Sequence, residues 1–157
     1  MQGILTVYNQ TQSRKVWVAD SFEGLPQCNK ELYPKDSGDW TSMNHSLAIS
    51  IEEVKENFKR YDLLGDNVIF LKGWFKDTLP VAPIEKLAIL RLDGDMYEST
   101  MDSLNNLYNK LQPGGFLIVD DYRIDSCLAA VSDFRNKNGI NDELLMIDDH
   151  SAHWRKS

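Results

Sequence analysis

Four aspartates stand where two short apolar runs of this sequence end, and their spacing allows metal chemistry. Asp93 ends the first run, and Asp95 follows after a single glycine. Asp120 and Asp121 end the second run. Crowded carboxylates repel one another unless a cation or a proton is shared among them. Because Mg²⁺ prefers oxygen ligands, these side chains predict a divalent-cation site.

The two runs, residues 87–92 and 116–119, must bring these carboxylates together. Both have the length and composition of buried parallel strands. Ligands of open α/β sheets bind beyond the carboxyl ends of the strands, so neighbouring strands would place all four carboxylates at one edge. The alternative interpretation is that one aspartate pair forms a turn and the other caps a helix.

The spacing also limits the roles that these carboxylates can take. Asp93, Asp120 and Asp121 could supply three ligand oxygens to an octahedral Mg²⁺ that keeps some waters. Alternation along the strand sends Asp93 and Asp95 towards similar sides, and Gly94 lets the chain bend between them. One of these two could bind metal while the other stays free as a base.

Predicted helices and strands alternate along the chain, which indicates the α/β class with a mostly parallel sheet. The inward-facing side chains include Tyr61 in the second helix and Leu128, Val131 and Phe134 in the fourth. Helices are predicted over Met1–Tyr8, from Ser50 to Tyr61, from a capping box at Ser99–Asp102 to Pro113-Gly114-Gly115, and from Asp125 to a stop at Gly139. Further strands are predicted over Lys15–Ala19 and Asn67–Leu71. Residues 144–154 are predicted to form an antiparallel hairpin at the sheet edge.

Two strand ends near the front of the chain carry candidate nucleotide-binding residues. Asp20 ends the strand after Lys15, a place where an acidic residue typically binds ribose hydroxyls. The alternative role of Asp20 is that of a turn or cap residue. Gly73 follows the next strand and would let a ligand approach the backbone. Trp74 could stack on a flat base or pack in the core.

Residues 27–45 are polar and read as a long loop, a candidate lid over the site. His45 lies in this segment and could touch a substrate, although a solvated loop histidine is the alternative. No histidine has ligand-like spacing to another.

The composition excludes several classes of protein. The chain has 157 residues and a net charge of −7, which argues against nucleic acid or an anionic membrane surface as its main partner. Cys28 and Cys127 lack metal-ligand spacing and indicate a reducing cytoplasm, with Cys127 as a small core residue. No apolar stretch approaches the roughly 20 residues of a membrane span. The length fits a single domain over residues 1–157.

Four segments, taken in order, resemble the macrocin O-methyltransferase family over nearly the whole chain. That resemblance implies a class I, Rossmann-like methyltransferase sheet with helices on both faces. It also implies transfer of a methyl group from S-adenosylmethionine to a hydroxyl, characteristically on a sugar of a natural-product glycoside, with Mg²⁺. The matching segments are residues 16–26 (VWVADSFEGLP), 73–80 (GWFKDTLP), 92–100 (LDGDMYEST) and 119–122 (VDDY).

The resemblance assigns roles to the acidic residues. Asp93, Asp120 and Asp121 would hold the metal, and Asp95 would be the catalytic base. The metal would hold two adjacent sugar hydroxyls and orient one towards the methyl sulfonium, so that positioning accounts for much of the rate.

The resemblance also assigns the cofactor site and the partners. Asp20, with Ser21 beside it, would bind the ribose, and Gly73 and Trp74 would lie by the adenine. The implied partner is a small-molecule glycoside substrate, and a homo-oligomer remains open.

The sequence departs from the family at its front. Complete members have a first strand and a Gly-rich loop that cradles the methionine part of the cofactor, and no such loop precedes Val16. That strand would lie in mid-sheet, between the strands at Val16 and Leu87. We therefore expect a partial methyltransferase domain that binds cofactor weakly or needs a partner to supply the missing strand.

Other functions fit parts of the pattern. A Mg²⁺-dependent phosphatase of the haloacid dehalogenase kind also uses Asp-x-Asp, but its motif wants Thr or Val where this chain has Tyr97. A metal-dependent glycosyltransferase would leave Asp120 and Asp121 unexplained. A truncated, inactive remnant that acts as an interaction module is the non-enzymatic alternative.

Overall fold

Helices and strands alternate through residues 1–36 and 47–157, which are the residues that the computed structural model describes. They fall into two units, one built from residues 1–26 and 47–78 and the other from residues 27–36 and 79–157. His45 and residues 37–45 of the candidate lid lie outside the described residues. Among the described residues, no helix is long and apolar enough to span a membrane.

The described residues of the first unit include a parallel strand pair and three of its helices. Val16 lies opposite Val68, and the register continues to Asp20 opposite Lys72. Both strands lie where the apolar runs predict them. The elements are α1 (Gln2–Val7), β1 (Val16–Asp20), α2 (Ile51–Arg60), β2 (Val68–Lys72) and α3 (Phe75–Thr78).

Polar side chains hold α1 against the start of β2 and cap the start of α2. Gln2 and Asn67 exchange two buried amide hydrogen bonds of 3.0 and 2.9 Å, which tie α1 to the residue before β2. At the start of α2, the Glu53 N–H donates to Ser50 Oγ at 3.2 Å, so Ser50 caps the helix that the sequence predicts from this residue. The prediction that Tyr61 faces the core is wrong. Its side chain is 72% exposed because the helix ends at Arg60 and Tyr61 leaves the helical stripe.

Among the described residues, the second unit contains the strands β3 (Leu87–Leu92), β4 (Leu111–Val119), β5 (Leu145–Met146) and β6 (Ala152–Arg155). These strands form one sheet in the order β3-β4-β6-β5. β3 and β4 are parallel, and β6 pairs antiparallel with both β4 and β5. This arrangement confirms the predicted parallel pair and the hairpin at the sheet edge. The described helices of this unit are α4 (Tyr97–Leu107) and α5 (Asp125–Asn138), with 3₁₀ turns at Leu79–Val81 and Tyr108–Lys110.

β3 is buried on one face only, which corrects the prediction of a fully buried strand. Leu90 and Leu92 are 6% and 5% exposed, whereas Ile89 is 43% exposed. Among the described residues, β3 pairs with β4 alone, so it lies at one edge of its sheet. Successive side chains of a strand point to opposite faces, and here only one of those faces packs on the core.

β4 begins earlier than predicted, because the Pro-Gly-Gly segment is strand rather than a helix stop. A Cβ on Gly115 would lie 2.9 Å from the Ala88 carbonyl oxygen and 2.7 Å from Leu111 Cδ1. The missing side chain thus allows β3 to approach, at the point where the register of the two strands shifts. The Gly114 N–H donates to the Lys156 carbonyl, which extends the sheet on the other side.

α5 matches its predicted limits, and Gly139 ends it in the left-handed conformation at φ 63°. Val131 and Phe134 are buried as predicted, and so is Cys127. Leu128 is 38% exposed, so its predicted inward position is wrong. The buried stripe contains positions 127, 130, 131 and 134, and residue 128 lies beside that stripe.

Candidate functional site

Three of the four predicted carboxylates form one cluster. Asp93, Asp120 and Asp121 each offer a carboxylate oxygen, and these oxygens lie within 4.8 Å of one another. Leu92 lies opposite Val119, and the Asp120 N–H donates to the Leu92 carbonyl at 2.9 Å. The carboxyl ends of β3 and β4 therefore meet as the apolar runs predict. Three carboxylate oxygens at this spacing are a donor set that suits Mg²⁺.

Asp95 is joined to this cluster through its backbone. Its N–H donates to Asp121 Oδ2 at 3.3 Å, and its carbonyl accepts a hydrogen bond from Ser126 Oγ at 2.9 Å. The residue has φ 53°, in the left-handed region that Asp tolerates better than most side chains. The bend after β3 thus includes a left-handed turn at Asp95 itself, beside the flexible Gly94.

Burial and mutual repulsion perturb two of these carboxyl groups. Burial, together with the charges of Asp95 and Asp93, raises the pKa of Asp121 to about 7. Burial and the charge of Asp93 also raise the pKa of Asp95, while a hydrogen bond with Asp121 opposes that rise. Without a cation, Asp121 therefore holds its proton up to about pH 7, and the pKa of Asp95 is shifted in the same direction.

Arg91 connects the same two strands and was not among the predicted site residues. Its Nη1 lies 2.9 Å from Asp93 Oδ2, and its Nη2 lies 2.8 Å from Asp120 Oδ2. Residues two apart in a strand share a face, so the position of Arg91 before Asp93 was a usable signal in the sequence.

Asp36 positions the helix that follows the acidic turn, and it too was missed. Its side chain is fully buried, and its two carboxylate oxygens accept hydrogen bonds from the backbone N–H groups of Tyr97 and Glu98. The predicted capping box at Ser99 is wrong, because the N-cap position of α4 is Met96, three residues before Ser99. No local pattern could reveal this cap, since its partners lie more than 60 residues away.

The four candidate cofactor residues lie in the first unit. The Gly73 N–H donates to the Asp20 carbonyl at 2.9 Å, so the carboxyl ends of β1 and β2 meet. Asp20 Oδ1 accepts the Phe22 N–H at 2.6 Å, which is the turn role given above as the alternative for Asp20. The buried Ser21 hydroxyl donates to the Gly24 carbonyl at 2.7 Å, and Trp74 is half-buried.

Gly73 is the residue of this group with the strongest steric requirement. Its φ is 139°, and a Cβ there would lie 2.6 Å from Thr78 Cγ2. Because residue 73 has no side chain, the backbone at the end of β2 is left uncovered there.

Comparison with known proteins identifies the family. The family profile described as macrocin-O-methyltransferase (TylF) matches residues 1–156. The chain is 50% identical over 157 residues to 8-demethyl-8-(2,3-dimethoxy-alpha-L-rhamnosyl)-tetracenomycin-C 4'-O-methyltransferase of Streptomyces olivaceus, covering 99% of this chain and 59% of that enzyme. It is 48% identical to mycinamicin III 3''-O-methyltransferase of Micromonospora griseorubida, covering 99% of this chain and 62% of that enzyme.

A solved structure agrees with these sequence matches. The O-methyltransferase NovP superposes with a TM-score of 0.96 at 50% identity, over 100% of this chain and 65% of that chain. The chain thus spans less than two thirds of the length of each of these three proteins. The superposition confirms the predicted Rossmann-like α/β fold of class I methyltransferases. Since the family profile covers residues 1–156 and the fold agrees, the chain belongs to the macrocin-O-methyltransferase (TylF) family.

Proposed function

We propose that this protein transfers a methyl group from S-adenosylmethionine to a sugar hydroxyl of a glycosylated natural product, assisted by Mg²⁺. The observation that carries the proposal is the cluster of Asp93, Asp120 and Asp121 carboxylates within 4.8 Å, at the ends of two paired parallel strands. Two relatives support the acceptor class, since their names describe O-methyltransferases of a rhamnosylated tetracenomycin and of a mycinamicin.

In this proposal, Asp93, Asp120 and Asp121 hold the cation and Asp95 is the base. When bound, the cation supplies Lewis acidity that makes a nearby hydroxyl a stronger acid. Asp95 then takes the hydroxyl proton while the oxygen attacks the methyl carbon and the sulfonium leaves as a thioether. The hydrogen bonds of the Asp95 backbone to Asp121 and Ser126 hold the base in one place.

The proposed cofactor residues are those at the ends of β1 and β2. Asp20 would accept hydrogen bonds from the ribose hydroxyls, with Ser21 shaping the turn behind it. Gly73 leaves its backbone open to the ligand, and the half-buried indole of Trp74 offers a face to the adenine. We propose that the two units are parts of one methyltransferase domain.

The expectations about the location, oligomeric state and partners of the protein are part of the same proposal. A cytoplasmic location agrees with the two thiols, Cys28 and Cys127, which are both free. A homo-oligomer, and the absence of nucleic-acid and membrane partners, stay predictions. The phosphatase and glycosyltransferase alternatives gain no support, because the relatives and the superposed structure named above are O-methyltransferases.

Calorimetric titration with S-adenosylmethionine, with and without Mg²⁺, tests the proposal. We expect weak but saturable binding, lost in Asp20→Ala and kept in Asp66→Ala, an exposed aspartate of the same unit. Tight one-to-one binding would contradict the expectation that the chain needs a further strand to bind the cofactor. A folded chain that binds no S-adenosylmethionine would support the inactive remnant instead. Hydrolysis of p-nitrophenyl phosphate with Mg²⁺ would support the phosphatase.

A further inference from the structure

Arg91 contacts two carboxylates that belong to two different strands. Nη1 meets Asp93 Oδ2 at the end of β3, and Nη2 meets Asp120 Oδ2 at the end of β4. The guanidinium is planar and its nitrogens are fixed relative to one another, so it sets the separation of the two carboxylates. A lysine could not do this, because an ammonium group is a point charge on a flexible stem.

This bridge leaves the metal-binding capacity of both carboxylates in place. Each carboxylate has two oxygens, and the contacts of 2.9 and 2.8 Å to Arg91 involve Oδ2 in both residues. Oδ1 of Asp93 and of Asp120 can then turn to a cation shared with Asp121. An arginine guanidinium stays protonated in proteins, so the bridge keeps its charge.

The Arg91 guanidinium could have either of two roles, and removing it would change the metal affinity in opposite directions in the two cases. A guanidinium that merely competes with Mg²⁺ for the carboxylates would weaken metal binding, and its removal would strengthen it. A guanidinium that holds the carboxylates in place would strengthen metal binding, because the metal then meets a preformed site.

We propose that Arg91 is a positioning residue, which holds Asp93 and Asp120 in the arrangement that receives the divalent cation. The inference rests on the proposed function, since it presumes that Asp93, Asp120 and Asp121 bind a metal. Its basis is the pair of contacts from Arg91 in β3 to Asp93, just after β3, and to Asp120, just after β4. The register that sets Leu92 opposite Val119 brings the two aspartates to the same edge. Without the bridge, like charges at the ends of the two strands repel one another.

Titration of the 157-residue chain with Mn²⁺, followed by the EPR signal of the free ion, tests this role without requiring turnover. We expect Arg91→Met to weaken Mn²⁺ binding by about tenfold to a hundredfold, as loss of a supporting residue around metal ligands typically does. Arg91→Lys should restore part of the loss, because an ammonium can reach one carboxylate at a time. Far-UV circular dichroism verifies that each variant is folded.

The matched control is Arg155→Met, the same change in β6 of the same sheet. Arg155 contacts the Gly114 carbonyl and the Phe116 ring and pairs opposite Phe116, away from the end of β4 at which Asp120 lies. Its Mn²⁺ affinity should equal that of the wild type.

The outcomes separate the inference from the proposed function. Unchanged or tighter Mn²⁺ binding by folded Arg91→Met would overturn the positioning role and leave the metal site standing. Absence of Mn²⁺ binding by the folded wild-type chain, or Mn²⁺ binding that survives Asp93→Asn, would overturn the metal site and the positioning role together.

Discussion

The backbone N–H of Asp95 donates to the Asp121 carboxylate at 3.3 Å, so the proposed base is fixed to one of the proposed metal ligands. The contact joins the turn after β3 to the end of β4. It also explains why Asp95 keeps a left-handed φ of 53°, a conformation that costs energy unless the surroundings hold it.

Asp95→Asn should separate base chemistry from metal binding. Asn tolerates the left-handed region as well as Asp does, so the turn and its hydrogen bonds should persist. Without a carboxylate to take the proton, we expect methyl transfer by a complete version of the domain to fall about a hundredfold or more. Mn²⁺ titration and a methyl-transfer assay with S-adenosylmethionine measure the two properties. Asp93→Asn is the contrast, since it should lose Mn²⁺ binding; unchanged turnover in Asp95→Asn would remove Asp95 as the base.

The stability of the metal-free protein should fall as the pH rises towards neutrality. The pKa of Asp121 is raised to about 7, whereas an unfolded aspartate titrates near 3.9. The folded state therefore holds a proton that the unfolded state has lost, and this contribution disappears as the pH passes through about 7. Thermal unfolding between pH 4 and 8 measures it.

Asp121→Asn and Mg²⁺ provide the controls for this pH dependence. The Asn side chain cannot titrate, so the variant should lose much of the decline between pH 4 and 7. Saturating Mg²⁺ should restore stability above pH 7, because the cation binds the ionised carboxylates and not the protonated ones. A decline of equal size in wild type and variant would exclude Asp121 as its source.

Asp36→Ala should destabilise the second unit. The carboxylate accepts from two backbone N–H groups in the first turn of α4, where a negative charge also favours the helix dipole. We expect the free energy of unfolding to drop by about 2 kcal/mol, with a smaller loss in Asp36→Asn, which keeps one acceptor oxygen. Urea unfolding measures the change. Ser50→Ala, the cap of α2, should cost about 1 kcal/mol, and an Asp36 variant no worse than that would contradict the double cap.

Gly73→Ala should disturb the end of β2 through one contact. The new Cβ would lie 2.6 Å from Thr78 Cγ2 at a backbone φ of 139°, so we expect a loss of about 1–3 kcal/mol in the free energy of unfolding. Adding Thr78→Ser removes that methyl and should recover part of the loss. Gly3→Ala serves as the control, because its Cβ would meet only Leu63 at 3.9 Å. Equal melting temperatures for Gly73→Ala and Gly3→Ala would rule out the clash.

The acidic site was predictable because strand ends are a local property. The apolar runs before Asp93 and Asp120 mark two strands, and parallel neighbours bring their carboxyl ends to one edge. The limits of α5 were predictable for a similar reason, since the helical spacing of Val131 and Phe134 and the stop at Gly139 lie within one segment.

Local pattern failed where a partner comes from far along the chain or where an element faces solvent. Ile89 was expected in the core because its run is apolar, but the elements that pack on the two faces of the sheet decide which face is covered. The Pro113 segment looked like a helix stop, yet it is drawn into β4 by pairing with β3 and β6.

Sequence by itself determined the α/β class, the strand ends and the identity of the clustered carboxylates, because these follow from apolar periodicity and from residue type. Tertiary structure alone decided that Arg91 bridges Asp93 and Asp120 and that Asp36 caps α4. A side-chain contact between distant segments depends on how the backbone folds between them. No spacing along the chain encodes that distance.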